Sequence, residues 1–586
     1  MTRRILAFAC AVALIFVIAR PAVSAPGQSA TGSSTQVDDG TLKSLADVAG
    51  AGMMETDTYE NLRELSDDIG ARVTGSPEAA KAIAWGIEKM KSIGLENVHA
   101  ETWQISHGWT RISASAELIS PIHRRLMIDA MGWVGSTPAG GAEADVLPVN
   151  SYQLDDEMKN PASWKGKVLL IVHKGEAPRD QMASFAKFGA FLKAAHDAGA
   201  IAVIGGQGGS AAQGMHLTHT GALGFDTYYD IPVVSMAAED QQQLERYLEH
   251  GKTVRLKIDV QNRVTDGAVE TANVVGDIRG TEHPEQIVVV GGHLDSWDLA
   301  SGATDNGFGA TAALGAAQAI MKSGHKPRRT IRFVLFTGEE EGLLGSIAYV
   351  KAHQSEMANH IAAVILDNGQ GPVVGFQLGG RADLIPDVQK FATSLQAFGE
   401  MKVDDDVEFG TDTGPFILAG LPGINLDQDS PEYKYTHHSP VDTFDKVQAD
   451  ILDRDATVMA LTAYWIADRP ERLASPWPRE KTAQMLVDKQ QDAVLKLFGL
   501  WPFGDLGSSN QFKFSAETNL FADKSRDAEG CRCGKTSDQD GLQAAAQRLH
   551  PGVMPFDRAE KEKCQQRDSN RNPQRVHHVL HHDVRR

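Results

Sequence analysis

Three short runs, residues 287–290 (IVVV), 331–336 (IRFVLF) and 362–366 (AAVIL), alternate with segments of helical spacing, and this alternation admits few folds. Apolar runs of strand length lack the in–out rhythm of a sheet with one wet face, so they predict strands buried on both sides. Residues 307–321 between the first two runs are Ala-rich and read as a helix, and a second helix is expected from Glu339 through Val350. The β-α-β-α-β order predicts an α/β fold whose mostly parallel central sheet is flanked by helices. In such sheets, groups that act on a ligand gather at the carboxyl ends of the strands.

Upstream, residues 42–94 have a helical pattern, with 79–93 closing at Gly94 and IGARVTGSP (69–77) forming a loop. From about Trp109 the pattern changes to short strands at 168–172 and 201–204 around a helix at 185–198. This region, 109–262, is expected to be a β-rich insert between an N-terminal catalytic part (26–108) and the main catalytic part (263–480). The glycines at 205–209 lack both GxGxxG and GxxxxGK[ST] spacing, so they are turn residues and no phosphate loop.

Arg3 and Arg4 precede a 14-residue apolar run (5–18) and small residues at 22–25. That length suits an export signal ending near Ser24 or Ala25, and leaves no stable membrane insertion after cleavage. The formal charge is −19. The leader and the stretch from Gly507 onward are each net +3, which puts −25 on the body between them. Such a surface repels nucleic acid and anionic membranes. The four cysteines are Cys10, Cys531, Cys533 and Cys564, so the exported body is stabilised without disulfides. The extension 481–586, expected to be largely irregular after about 507, holds three of them at no trusted zinc spacing.

Chemistry concentrates at the strand ends. His293 ends the first strand, and Asp295 two residues on can take the imidazole's other N–H, fixing its tautomer. Asp305 opens the Ala-rich helix, where an N-cap is the plain alternative. Glu339, Glu340 and Glu341 follow the second strand; adjacent carboxylates after a buried run are costly unless cations or water satisfy them. Glu341 is expected to face solvent or cap the helix. Asp367 ends the third strand, and His438 lies in YKYTHHSPVDT (433–443).

With HLDSWD (293–298), GATDNGFG (302–309), FTGEEEGLLGS (336–346), LDNG (366–369) and FGTDTGPFILAGLPG (409–423), the chain resembles the M28 family of zinc exopeptidases over roughly residues 42–470. The resemblance implies two zinc ions bridged by Asp305, one completed by His293 and Asp367, the other by Glu340 and His438. His438 is preferred to His437 because the family's ligand directly precedes a Ser or Thr, here Ser439. It implies Glu339 as general base and Asp295 as the partner of His293. Asp412, in the loop 410–416, and Tyr435, with Tyr433 as the other option, are the expected substrate-side residues. KGKVLLIVHKGE (165–176) and AGAIAVIGG (198–206) look like the protease-associated domain that some members carry as an insert. Two departures stand out: Asn306 occupies a position where the most similar branch has a second acid, and nothing beyond about 480 has a counterpart. The expected activity is hydrolysis of dipeptides or short peptides, with an aminopeptidase on the same cage, or a non-catalytic binding protein, as alternatives. The expected partners are a peptide substrate and, in assembly, a homodimer.

Overall fold

A computed structural model describes residues 39–175, 181–205 and 215–504, all of them in one compact unit. The leader, the glycines at 206–209 and the Cys-containing tail from 505 onward lie outside the described residues.

The first sheet has eight strands: β1 (Glu96–Ile105), β2 (Val269–Ile278), β3 (His283–His293), β4 (Arg329–Phe336), β5 (His360–Ile365), β6 (Val373–Gln377), β7 (Lys402–Asp404) and β8 (Gly423–Gln428), in the order β1-β2-β4-β3-β5-β8-β6-β7. Its centre, β4-β3-β5-β8, is parallel, as the apolar runs require. Both faces are covered. Val288 and Val290 of β3 enter one core, whereas Ile287 and Val289 enter the other. On the first face pack α1 (Asp39–Met54), α2 (Pro77–Ile93), α3 (Phe308–Ser323) and α5 (Ala449–Asp468); α4 (Leu344–Ala352) covers the second. The helix α2 starts as its sequence dictates, with Ser76 accepting a hydrogen bond from the Ala79 N–H (3.0 Å) and Pro77 in the first turn.

The α3 helix lies unusually close to the sheet because small residues face each other. A Cβ on Gly292 would stand 2.8 Å from the carbonyl carbon of Gly309, so any side chain there would push the helix away from β3. The expected second helix begins later than its sequence suggests. Residues 338–343 form a turn with φ +76° at Gly338 and +110° at Gly342, and α4 starts only at Leu344. Glu339, Glu340 and Glu341 therefore sit in a tight loop and not on a first helical turn.

A second eight-stranded sheet is built from strands between Trp109 and Val264, with a core of its own. It is mixed rather than purely β: the helices Gln181–Asp197 and Ala238–Glu249 pack with it, and its middle strands pair in parallel. Beyond α5, the helices Arg479–Asp488 and Asp492–Leu497 and the residues after them place Leu486, Leu495, Leu500 and Phe503 against Phe409 and Ile417, so the described part of the extension packs on the catalytic part. Among the described residues no helix is long and apolar enough to cross a membrane.

Candidate metal centre

The parallel strands deliver their ends to one point. His293 terminates β3, Glu339 and Glu340 lie in the turn after β4, Asp367 follows β5, and Asp305 precedes α3. His438 arrives from the loop after β8 with φ +56°. The His293 Nε2 atom is 3.2 Å from Asp305 Oδ1 and 3.2 Å from Asp367 Oδ1. His438 Nε2 is 2.9 Å from Glu340 Oε2 and 3.3 Å from Asp305 Oδ2. Asp305 thus turns one oxygen toward each imidazole. His437 Nε2 stands farther off, 3.8 Å from Asp305, with its ring stacked on that of His438.

All these groups are largely withdrawn from water, and His293 is 1% exposed. Yet His293 Nε2, Asp305 Oδ2 and Glu340 Oε1 have no aligned hydrogen-bond partner. The separations of 3.2 and 3.3 Å approach the edge of about 3.3–3.4 Å of a tetrahedron around an ion bonded to N and O donors at about 2.0–2.1 Å, and the His438–Glu340 pair at 2.9 Å is tighter. Burial, then mutual repulsion, pushes the carboxyls of Glu339 and Glu340 well above the ordinary range. Burial raises Asp367 to about 6. At Asp305 burial pulls the same way but is outweighed by His293, His438 and His437, which hold it low. A cage of buried acids with orphaned donor atoms demands positive charge, and the donor set suits divalent cations.

The tautomers are also settled by contacts. His293 Nδ1 lies 3.0 Å from the main-chain carbonyl of Asp295, and His438 Nδ1 lies 3.2 Å from that of Thr220. A carbonyl can only accept, so Nδ1 carries a proton in both rings and Nε2 is the atom turned toward the acids. The Asp295 carboxylate is therefore not the acceptor for His293: it stands at 3.6 Å. It accepts instead from Thr74 Oγ1 (3.0 Å) and faces the N–H groups of Glu339 (3.5 Å) and Glu340 (3.4 Å), so it steadies the acidic turn. Glu341 is 2% exposed, not solvated, and burial beside Asp295 raises its carboxyl.

Asp412 is fully buried behind the site, with neither oxygen in a well-aligned hydrogen bond, and its carboxyl is raised by burial to about 7. It does not line the small cavity over the cluster, which is bounded by Trp297, Ala300, Gly302, Asp305, Glu340, His438, Ser439 and Asp442. Tyr435 carries Lys434 over its ring, 4.8 Å from the centroid. The tyrosine facing the acids is Tyr433, whose hydroxyl pKa is raised well above its usual value by burial and by Asp305, Asp367 and Glu340.

Two supporting residues lie inside quoted motifs, YKYTHHSPVDT and IGARVTGSP, that gave them no role. Asp442 accepts from the N–H groups of Thr304 (2.6 Å) and Asp305 (3.2 Å), tying the His438 loop to the start of α3. Arg72, completely buried, donates to the carbonyls of Leu294 (2.5 Å), Ser301 (2.7 Å), Gly302 (2.8 Å) and Gly70 (3.2 Å). It thereby pins the segment between His293 and Asp305. Its place in IGARVTGSP was the available signal. Asn306 donates to the Leu366 carbonyl (2.9 Å) and accepts from the Gly309 N–H (2.7 Å), and an ionised acid there could not make the first bond.

The description "Peptidase family M28" matches residues 273–463, a span that encloses all five donors. Carboxypeptidase Q of Mus musculus is 31% identical over 432 residues, covering 74% of this chain and 90% of its own. The chain belongs to peptidase family M28. Among solved M28 structures, a peptidase M28 precursor from Shewanella amazonensis SB2B superimposes with a TM-score of 0.66 at 28% identity, covering 75% of this chain and 99% of the other. The fold is shared with BSAP, a zinc aminopeptidase from Bacillus subtilis, at a TM-score of 0.55 and 22% identity, covering 72% and 97%. As an M28 metallopeptidase the chain acts on peptides. The family match leaves Arg72, Thr74 and Thr220 outside its bounds.

Proposed function

We propose that this M28 peptidase is an exported exopeptidase that holds two zinc ions and hydrolyses dipeptides or short peptides. The observation that carries the reading is the division of Asp305, with Oδ1 toward His293 and Oδ2 toward His438, as a carboxylate shared by two cations requires. On this reading His293, Asp305 and Asp367 hold one ion, and Asp305, Glu340 and His438 the other. When bound, the ions would supply Lewis acidity toward an attacking water and the scissile carbonyl. The Glu339 carboxylate takes the proton from that water and passes it to the leaving amine nitrogen. Tyr433 is the phenol available to donate toward the developing oxyanion. Export rests on the leader, and the similarity of residues 165–176 and 198–206 supports a protease-associated insert.

Zinc analysis, followed by assay of free, N-blocked and C-amidated dipeptides, tests both the ions and the exopeptidase activity. About two zinc per chain is expected, with Glu339→Gln keeping the metal while hydrolysis falls roughly 10²–10⁴-fold. Undiminished activity in Glu339→Gln removes the general-base role.

A further inference from the structure

Building on that two-ion reading, we propose that the inserted domain is part of the metal centre, its segment 218–226 acting as a positioning element for the Glu340 and His438 half of the cage. Three contacts join it to the His438 loop. The His438 imidazole donates from Nδ1 to the Thr220 carbonyl (3.2 Å), and the Thr220 N–H donates to the His438 carbonyl (2.9 Å). One residue back, His219 Nδ1 donates to the His437 carbonyl (2.8 Å). These bonds hold a non-glycine residue at positive φ and fix the tautomer that leaves Nε2 free. The same segment grips the other ligand's turn: the Asp226 N–H donates to the Glu341 carbonyl (3.2 Å), and the Phe225 ring fills the space over Gly342.

The segment is itself braced from within the insert. Thr220 is fully buried, its hydroxyl donating to the Ala130 carbonyl (3.1 Å) and accepting from Arg111 Nη2 (3.0 Å). Arg111 also pairs with Asp298 at 2.8 Å, and Trp297 beside it packs into the insert's core. The HLDSWD motif therefore divides, its first half serving the ions and its second half locking the insert down. The His293 donor, by contrast, ends a strand of the central sheet and Asp367 follows one two residues on.

The distinguishing consequence is unequal loss of metal. Chelator-competition titration of zinc into the full-length apo protein reads two affinities directly, with apo melting as the folding control. In His219→Ala one ion is expected to bind about 10–100-fold more weakly while the other is unchanged. His219→Asn, whose amide can reach the same carbonyl, is expected to restore the weakened site. Arg111→Met, which leaves 218–221 intact, gives the same pattern where His219→Ala folds poorly. Two wild-type affinities in both variants, or equal weakening of both ions, overturn the inference. Fewer than two zinc in the wild-type protein overturns the two-ion reading, and the inference with it.

Discussion

Replacing Arg72 with Met tests how far the cage depends on a residue that touches no metal. The guanidinium makes four hydrogen bonds to carbonyls, three of them on the segment between His293 and Asp305. A hydrogen bond with a charged partner contributes about 1.5–3 kcal/mol net, so four would suggest roughly 6–12 kcal/mol. Against this, the substitution removes an ion held at zero exposure, its pKa drawn down by burial to about 10, and desolvating such a group costs several kcal/mol. The balance is a destabilisation of about 3–5 kcal/mol, the range found when one partner is taken from a buried charged network. For a unit of about 450 described residues, with an unfolding entropy of about 2.1 cal/mol/K each, that corresponds to a melting shift of roughly 3–5 °C, read by calorimetry on the metal-free protein. Metal content should fall as well, because Leu294, Ser301 and Gly302 lose the group that holds them in register. Arg72→Lys should rescue little, since a point charge cannot fork to four carbonyls. A change below about 1 kcal/mol in Arg72→Met, with full zinc content, would refute the reasoning.

Asp305→Ala should reduce bound zinc below one ion per chain by metal analysis, because both halves of the cage lose an oxygen at once. Gly342→Ala should cost about 3 kcal/mol or more, since its Cβ would stand 1.6 Å from the Phe225 ring at φ +110°; adding Phe225→Ala should relieve part of the loss in a double-mutant cycle. His360, fully buried at the start of β5, has its pKa lowered by burial to about 4, so below about pH 6.5 the unfolded chain takes a proton that the folded one refuses. Stability from this group is therefore present above pH 6.5 and is lost as pH falls toward 4, by up to about 3 kcal/mol; denaturation of His360→Gln across that window should show a flatter profile.

What was legible in the sequence was whatever local pattern encodes. The runs IVVV, IRFVLF and AAVIL declare their strands because no other element buries so short a segment on both faces, and the donors at their ends follow from parallel topology. The later start of α4 was hidden because the acids of 339–341 are also good first-turn residues; only the φ values at Gly338 and Gly342 show that the chain turns instead. Long-range supports were less visible still. His293 and His438 each donate to a main-chain carbonyl, a group that every residue carries, so the sequence holds no mark of the acceptor. The Asp295 carboxylate looked like the acceptor because spacing favoured it, and the structure gives it Thr74 and the acidic turn instead. For Arg72 and Thr220, partners lie more than 200 residues away, beyond any periodicity. The donors of the candidate site were thus readable from residues 293–438 alone, while Arg72, Thr74 and Thr220, which help to aim them, come from the N-terminal loop and the insert. A chain cut to the M28-matched span, 273–463, would keep every proposed ligand and the contacts made by Asp295 and Asp442, and would lose those made by Arg72, Thr74 and Thr220.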